Sequence, residues 1–316
     1  MKLSAATLCG ALVLFGCSQS STSPSSTFPG GNVLLVVNST GNSVAIYHLV
    51  GGAAVPVQTI AGANTGLNYP TGIGFSNNEI FVANNHADTV TVYAANASGD
   101  AAPLTTISGP ATGLSHPTDI DIDSVGRVYV GNSVGNSVRI FAPTATGDAA
   151  PLASITGPDT ALNHPVALHH DAAGNIYVVN TANSSVTIYH QSDVLSSVTG
   201  DVAPYATLAG ALTGLVNPSG IVLDSAGDVY VTNDFPDSIT VYPPNPNGNI
   251  APTATIAGAL TGLNAPGDIE LAAGVLIIAN AGGNNLLTFP TNGNGNIAPL
   301  LTVTGGLSQP NGLGTE

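Results

Sequence analysis

The chain has 316 residues, and its 18 acidic residues outnumber three Lys and Arg residues, which gives a formal net charge of −15. A surface this poor in cations repels phosphate backbones, so we expect no nucleic-acid partner. The 38 glycines and 22 prolines suit short strands joined by many turns and argue against long helices.

The chain begins with the pattern of an export signal. A cationic start precedes an apolar run from Ala5 to Phe15, which is too short to span a membrane in the mature protein. The run ends in Leu14-Phe15-Gly16-Cys17, which resembles the bacterial lipoprotein signal, in which the cysteine becomes the lipidated first residue. The alternative is a plain secretory peptide that is cut near the same place.

The lipoprotein resemblance implies a removed signal peptide over residues 1–16, a lipidated Cys17 and a Ser/Pro-rich tether over residues 17–30. Both cysteines lie in the first 17 residues, so the mature domain has no intrachain disulfide. We expect an exported protein anchored by lipid in the bacterial envelope, either facing the periplasm or on the cell surface. Its contact with the membrane is through the anchor alone.

Residues 31–316 repeat one unit six times. An apolar segment that ends in Asn marks each unit: VLLVVN (33–38), EIFVAN (79–84), RVYVGN (127–132), NIYVVN (175–180), DVYVTN (228–233) and VLIIAN (275–280). Two further apolar segments follow each copy, and in the first unit they are NSVAIY (42–47) and PVQTIAG (56–62). A further segment begins after Pro70, Pro117, Pro165, Pro218 and Pro266, which are 47, 48, 53 and 48 residues apart. Their Val, Ile and Tyr content and their Gly, Asn, Asp and Pro borders predict strands.

Four antiparallel strands in a unit of about 48 residues are typical of a β-propeller blade, with strands a to d running outward from a central channel. A lone innermost strand begins at Pro310, while the first unit starts with its second strand at Val33. We therefore predict an all-β, six-bladed propeller whose first blade is closed by the C-terminal strand. Blade 4 carries five extra residues within 190–204, between strands c and d, as a tolerated loop or a partner site.

The stretch PTDIDIDSVGRVYVGNSVGNSVRIF (117–141) resembles the NHL-repeat and gluconolactonase-like group of six-bladed propellers, and the resemblance extends over residues 31–316. Gluconolactonase-like enzymes place a Glu, Asn and Asp set around a divalent metal in the channel. Here the first blade reads NVLLVV, without a glutamate followed by Pro and Trp, and the chain contains no Trp. The resemblance thus implies the fold more strongly than a lactonase activity.

Two sets of polar residues recur in the repeat, and we predict that they serve the framework. Asp-x-x-Gly turns at Asp123, Asp171 and Asp224 fit the first position of a turn between strands a and b. One asparagine per blade ends strand b, where it can bond its own turn. These asparagines are Asn38, Asn84, Asn132, Asn180, Asn233 and Asn280.

Residues that break the repeat are better candidates for a site. Alternate side chains of strand a face the channel, which would bring Asp119, Asp121, His169, Asp268 and Glu270 together there. Asp121, His169 and Glu270 are the predicted ligands of a divalent cation, Ca²⁺ or Zn²⁺. Paired carboxylates suit general acid–base chemistry as well, and the remaining alternative is a water-filled channel without a ligand.

The loops between strands d and a and between strands b and c share one face of the disc, the top face. His86, His116 and His164 lie in these loops on neighbouring blades and are the predicted ligand-binding residues of that face. A zinc ion would need three or four ligands at about 2 Å, so the alternative is a group of exposed histidines without a metal.

These patterns favour a non-catalytic, lipid-anchored propeller, expected to be a monomer, that binds a protein or a small ligand through its top face. The alternative is a metal-dependent hydrolase or lyase, lactonase-like, with a divalent cation in the channel. A structural envelope component without a specific ligand is the third reading. The sequence has no Gly-rich phosphate loop, CxxC pair or Gly-x-Ser-x-Gly elbow, and we assign no catalytic residue and no cofactor beyond that cation.

Overall fold

A computed structural model describes residues 33–50 and 53–316. The predicted signal peptide, the lipidated Cys17 and the tether lie outside the described residues. The described chain forms six sheets of four antiparallel strands each, arranged as the blades of a β-propeller, so the predicted fold class is confirmed.

The strands have the following bounds in the order of the blades. Blade 1 contains β1 (Val33–Asn38), β2 (Ser43–Val50), β3 (Ala53–Ala61) and β24 (Pro310–Thr315). Blade 2 contains β4 (Pro70–Ser76), β5 (Glu79–Asn84), β6 (Thr89–Ala94) and β7 (Thr105–Ile107), and blade 3 contains β8 (Pro117–Ile122), β9 (Val128–Asn132), β10 (Ser137–Phe141) and β11 (Ala153–Ile155). Blade 4 contains β12 (Pro165–His170), β13 (Asn175–Asn180), β14 (Ser185–His190) and β15 (Ala206–Ala209). Blade 5 contains β16 (Pro218–Leu223), β17 (Val229–Asp234), β18 (Asp237–Tyr242) and β19 (Ala254–Ala257), and blade 6 contains β20 (Pro266–Ala272), β21 (Val275–Asn280), β22 (Asn285–Pro290) and β23 (Leu301–Thr304).

The first blade is closed by the C-terminal strand, as predicted. The sheet order is β24-β1-β2-β3, with Leu34 opposite Thr315 and Val36 opposite Leu313. This pairing joins the two ends of the described chain in one sheet and leaves no open inner edge at the junction.

The apolar core is divided into six clusters, one between each pair of neighbouring blades. Strand β13 shows why its sequence is apolar almost throughout. Ile176 and Val178 pack toward blade 3, whereas Tyr177 and Val179 pack toward blade 5. Because side chains alternate along a strand and both faces of each sheet are covered, both sets must be apolar.

The repeated asparagines are fully buried, and each accepts a main-chain N–H from the d–a loop through Oδ1. The donors to Asn38, Asn84, Asn132, Asn180, Asn233 and Asn280 are, in that order, Ser308, Asn68, Ser115, Asn163, Val216 and Asn264. The turn carboxylates behave in the same way: Oδ1 of Asp171 accepts the N–H groups of Ala173 and Asn175. These hydrogen bonds agree with the framework role expected for both sets.

The extra residues of blade 4 begin with the short helix α1 (Gln191–Ser196), between β14 and β15. Gln191 at its start donates to the Tyr129 hydroxyl (2.7 Å) and accepts a bond from Arg127 Nη2 (3.0 Å). Arg127 also pairs with Asp123 at 2.6 Å, so polar side chains of blade 3 fix the insertion on the bottom face. In the described part of the chain, no helix is both long and apolar enough to cross a membrane.

Candidate functional site: the central channel and the top face

The innermost strands β24, β4, β8, β12, β16 and β20 line the central channel. A cavity of about 220 Å³ lies toward the bottom face and is lined by Asp121, His169 and Glu270. A smaller one of about 60 Å³ lies toward the top face. Asp119 and Asp268 line both, so all five polar residues predicted to face the channel do so.

Asp119 and Asp268 join neighbouring inner strands. Asp119 Oδ2 accepts the Leu168 N–H of blade 4 at 2.8 Å, and Asp268 Oδ2 accepts the Leu313 N–H of the closing strand at 2.9 Å. The inner strands approach closely elsewhere too, since a Cβ on Gly72 would lie 2.3 Å from the Asp119 Cα. An acid in one blade beside a glycine in the preceding one therefore fits the narrow centre of the disc.

Asp121 has a partner that the sequence analysis did not identify. Its Oδ2 accepts the main-chain N–H of His170 and lies 2.7 Å from His170 Nδ1. The side chain of His170 lies in the slot that is apolar in most other blades, packed edge-on against Tyr129 at a centroid distance of 4.0 Å. A histidine in an otherwise apolar repeat position was the available signal, because a buried imidazole needs a polar partner.

His169 and Glu270 are less constrained. His169 Nδ1 lies 3.9 Å from Asp121 Oδ2, and Glu270 Oε1 accepts the N–H of Leu271 at 2.9 Å. Both side chains are partly exposed to the channel. Burial in the narrow channel lowers the pKa of His169 below its usual value, although Asp121 opposes this shift. His169 is therefore a neutral imidazole near neutral pH.

The pKa values of the channel acids shift in two directions. Burial raises the pKa of Asp268 to about 7 and that of Glu270 to about 7 as well. It raises the pKa of Asp119 well above the usual value, and the charge of Asp268 adds to this effect. Burial also opposes the ionisation of Asp121, but the hydrogen bond and electrostatic attraction of His170 outweigh it, so the pKa of Asp121 is lowered. The channel thus holds the stable carboxylate of Asp121 beside Asp268 and Glu270, which take up protons near neutral pH.

The channel side chains fit a metal ion poorly as they stand. Within residues 33–50 and 53–316, no group of three or more His, Cys, Asp or Glu side chains is placed to hold one. Both oxygens of Asp119, Asp121 and Asp268 accept main-chain N–H groups, which occupies lone pairs that a cation would need. The cation site at Asp121, His169 and Glu270 stays a prediction, and we derive no chemistry from it.

The three histidines predicted to mark the top face are all exposed, but each has different surroundings. His86 stacks on Tyr69 with ring centroids 4.3 Å apart. His116 Nδ1 lies 3.8 Å from Asp88 Oδ1, whereas the main-chain N–H of His164 donates to Asn136.

His116 and His164 also occupy a repeated backbone position. The residue before each blade proline has a positive φ, here 50° and 56°, and so have Tyr69, Asn217, Ala265 and Gln309. The framework accounts for the backbone at these positions, but not for the imidazole side chains on two of them.

No family model matches the sequence, and no curated protein sequence matches it. Solved structures do resemble the fold. A chain of the nidogen–laminin complex has 15% identity and a TM-score of 0.66, covering 90% of this chain and 98% of that one. Streptogramin B lyase has 14% identity and a TM-score of 0.53, with 83% and 72% covered. A putative 6-phosphogluconolactonase from Bacteroides fragilis has 15% identity and a TM-score of 0.56, with 87% and 80% covered.

The fold and these similarities define the class: the protein is a six-bladed β-propeller. The similar structures include a chain from a protein–protein complex and propellers named as a lyase or a lactonase. At such low identity these similarities establish the fold alone, because proteins with the β-propeller fold have many unrelated functions.

Proposed function

We propose that this protein is a non-catalytic, lipid-anchored β-propeller of the NHL-repeat type, which binds a protein or a small ligand in the cell envelope through its top face. The proposal rests on the hydrogen bonds that the channel carboxylates accept from the main chain. Asp119, Asp121 and Asp268 each accept two main-chain N–H groups, one of them from the next blade or strand in the ring. Much of the asymmetry in the channel therefore serves the joining of blades.

Exposed side chains that depart from the repeat support a role for the top face. Phe235, in the turn between β17 and β18, is 69% exposed, and Val134 in the corresponding turn of blade 3 is 60% exposed. The stacked pair of His86 and Tyr69 lies in the loops of blade 2. Exposed aromatic groups at the centre of an interface contribute most of its binding free energy, so a partner protein fits this face better than a small polar ligand.

Site-specific photo-crosslinking in cells tests which face is used. A photoreactive residue is placed at His116 or Phe235 on the top face, and matched residues at Val125 and Val198 serve as bottom-face controls, 63% and 99% exposed. We expect one adduct of defined mass from the top positions and none from the bottom positions. Adducts from the bottom positions alone, or equal adducts from both faces, would contradict the proposal.

A metal-dependent hydrolase or lyase, lactonase-like, is the second candidate, and one observation favours it. Glu270 and Asp268, both with a pKa of about 7, line the same cavity as His169, and groups that titrate near neutrality suit general acid–base chemistry. The test is metal analysis of protein purified without chelator, followed by melting with added Ca²⁺ or Zn²⁺. A cation at 100 times its Kd stabilises the folded state by about 2.7 kcal/mol. A metal-free protein that melts unchanged with either cation excludes this candidate.

A further inference from the structure

In the described part of the chain, five of the six blade junctions carry the same covering segment, which we call the strap. A strap is the chain between strands c and d of one blade, and it lies along strand d of the preceding blade. In blade 2 it comprises residues 95–104, where Gly99 O accepts the Ala61 N–H of β3 at 2.9 Å and Gly99 N donates to Thr59 at 2.7 Å. Gly147, Gly200, Gly248 and Gly295 accept the same type of bond in blades 3 to 6.

A side chain in each strap provides a second attachment. Asp100 Oδ1 accepts the Asn64 N–H just beyond β3 at 2.7 Å. The equivalent acceptors are Asp148, Asp201, Asn249 and Asn296, at 2.6 to 2.9 Å from their donors. The strap thus covers the outer edge of the preceding strand d and caps the loop that follows it.

The junction between blades 6 and 1 has no strap among the described residues. In blade 1, strand β2 ends at Val50 and β3 begins at Ala53, so only residues 51–52 lie between strands c and d. No main-chain bond from another blade reaches the Thr304 N–H, the counterpart of Ala61, in the described part of the chain. Among the described residues, the outer edge of β23 therefore has no covering segment, whereas the other five edges do.

The open edge leaves apolar surface accessible. Val303 of β23 is partly exposed, although its counterparts in the other blades are at most 1% exposed. Those counterparts are Ile60, Ile107, Ile155, Leu208 and Ile256. Beside Val303 lies a cleft of about 340 Å³ whose walls include Leu34, Leu49, Leu286 and Leu301. Apolar surface at an unpaired strand edge favours a covering segment.

We propose that the segment before β1, residues 17–32, is the sixth strap, with Phe28 seated in the cleft between blades 6 and 1. The segment continues directly into Val33, and Leu34 already lines the cleft. Five residues span at most about 17 Å, so Phe28 lies no farther than that from Val33, whose neighbour Leu34 lines the cleft. Residues 18–32 contain no charged side chain, and Phe28 is their one large apolar residue, so the segment matches an apolar cleft.

Docking of this strap also bears on orientation at the membrane, a point that rests on the lipidation of Cys17. The free tether then ends before Phe28, and the rim of blades 6 and 1 is held near the anchor. The free Ser/Pro linker is thereby shortened to residues 18–27, so this rim stays nearer the membrane than the rest of the disc.

Cysteine crosslinking tests the docking directly. The chain of residues 17–316 with Cys17→Ser has no other cysteine. Thr27→Cys is combined with Leu300→Cys beside the cleft, or with Leu152→Cys, the equivalent position on blade 3; the two leucines are 62% and 59% exposed. The Leu152→Cys pair measures the background rate, because blade 3 is two blades away from Val33 and the six residues from Thr27 to Val33 span at most about 20 Å. We expect the Leu300→Cys pair to form its intramolecular disulfide at least about tenfold faster than the same pair with Phe28→Ser, because docking raises the effective concentration.

Hydrogen exchange of the Thr304 amide provides an independent measurement. We expect slow exchange in the same chain without the added cysteines and at least about tenfold faster exchange in Phe28→Ser, with the Ala257 amide under the strap of blade 6 as an unchanged control. A crosslinking rate of the Leu300→Cys pair that is unaffected by Phe28→Ser, or Thr304 exchange unaffected by Phe28→Ser, would overturn the proposal. Intermolecular disulfides, or protection that increases with protein concentration, would assign the cleft to a second copy and overturn it as well.

Discussion

Glu270→Gln in the channel should stabilise the protein at alkaline pH and leave it nearly unchanged at acidic pH. Burial raises the pKa of Glu270 from 4.5 to about 7, so the folded state retains a proton that the unfolded chain releases. As pH rises through this window, folding stability is lost, because ionised Glu270 is less favourable in the channel than in the unfolded chain. Glutamine keeps the oxygen that accepts the Leu271 N–H and never ionises.

The magnitude follows from the two pKa values. The interval from 4.5 to about 7 corresponds to about 3 kcal/mol at about 1.4 kcal/mol per pKa unit. Glu270 is partly exposed to the channel, and solvent there weakens the effect, so we expect a gain of about 1–3 kcal/mol at about pH 8. Part of this gain comes through Asp268, because the Glu270 charge also raises the pKa of Asp268.

Urea unfolding at about pH 4 and about pH 8 measures the difference, with a change below about 0.5 kcal/mol expected at the lower pH. Glu79→Gln outside the channel is the matched control, because it removes one negative charge from the same chain of net charge −15. An equal gain at both pH values, or no gain at the higher one, would refute the proposed burial of an ionised carboxylate.

Two further predictions concern the centre of the disc and the N-terminus. Gly72→Ala should cost about 1–3 kcal/mol in urea unfolding, since its Cβ would lie 2.3 Å from the Asp119 Cα and 2.8 Å from the Thr118 carbonyl oxygen; a cost below about 0.5 kcal/mol would show that the inner strands separate easily. Cys17→Ser should move the protein from the membrane fraction to the soluble fraction of cells. A variant that stays fully with the membrane would exclude lipidation at Cys17 as the anchor.

The channel acids have two opposite effects on the folding stability of the ring. Their hydrogen bonds to Leu168, His170 and Leu313 join blades 3 to 4 and 6 to 1. Their burial makes the charged forms of Asp268 and Glu270 unfavourable. A buried acid that accepts two N–H groups and still has a raised pKa stabilises the ring best below neutral pH, which is why the pH dependence is a direct test of this arrangement.

Much of the site could be predicted from the alternation of side chains along strand a. It correctly brought Asp119, Asp121, His169, Asp268 and Glu270 to the channel. The alternation could not predict which channel side chains form hydrogen bonds with one another. Asp121 and His170 lie 49 residues apart, and their hydrogen bond depends on how closely strands β8 and β12 approach at the axis. That distance is set by the packing of whole blades, which no local pattern contains.

The sequence alone determined the blade. In blades 2 to 6 the strands, turns and buried asparagines depend on contacts within about 48 residues, so each of these repeats carries the full signal, and the lone innermost strand at Pro310–Thr315 predicts the closure of blade 1. Only the tertiary structure decided what happens between blades. The carboxylate bonds at the axis, the straps at the rim and the cleft beside Val303 arise where separate repeats meet. Such contacts depend on the angle and distance between whole sheets, which are properties of the closed ring and not of any one repeat.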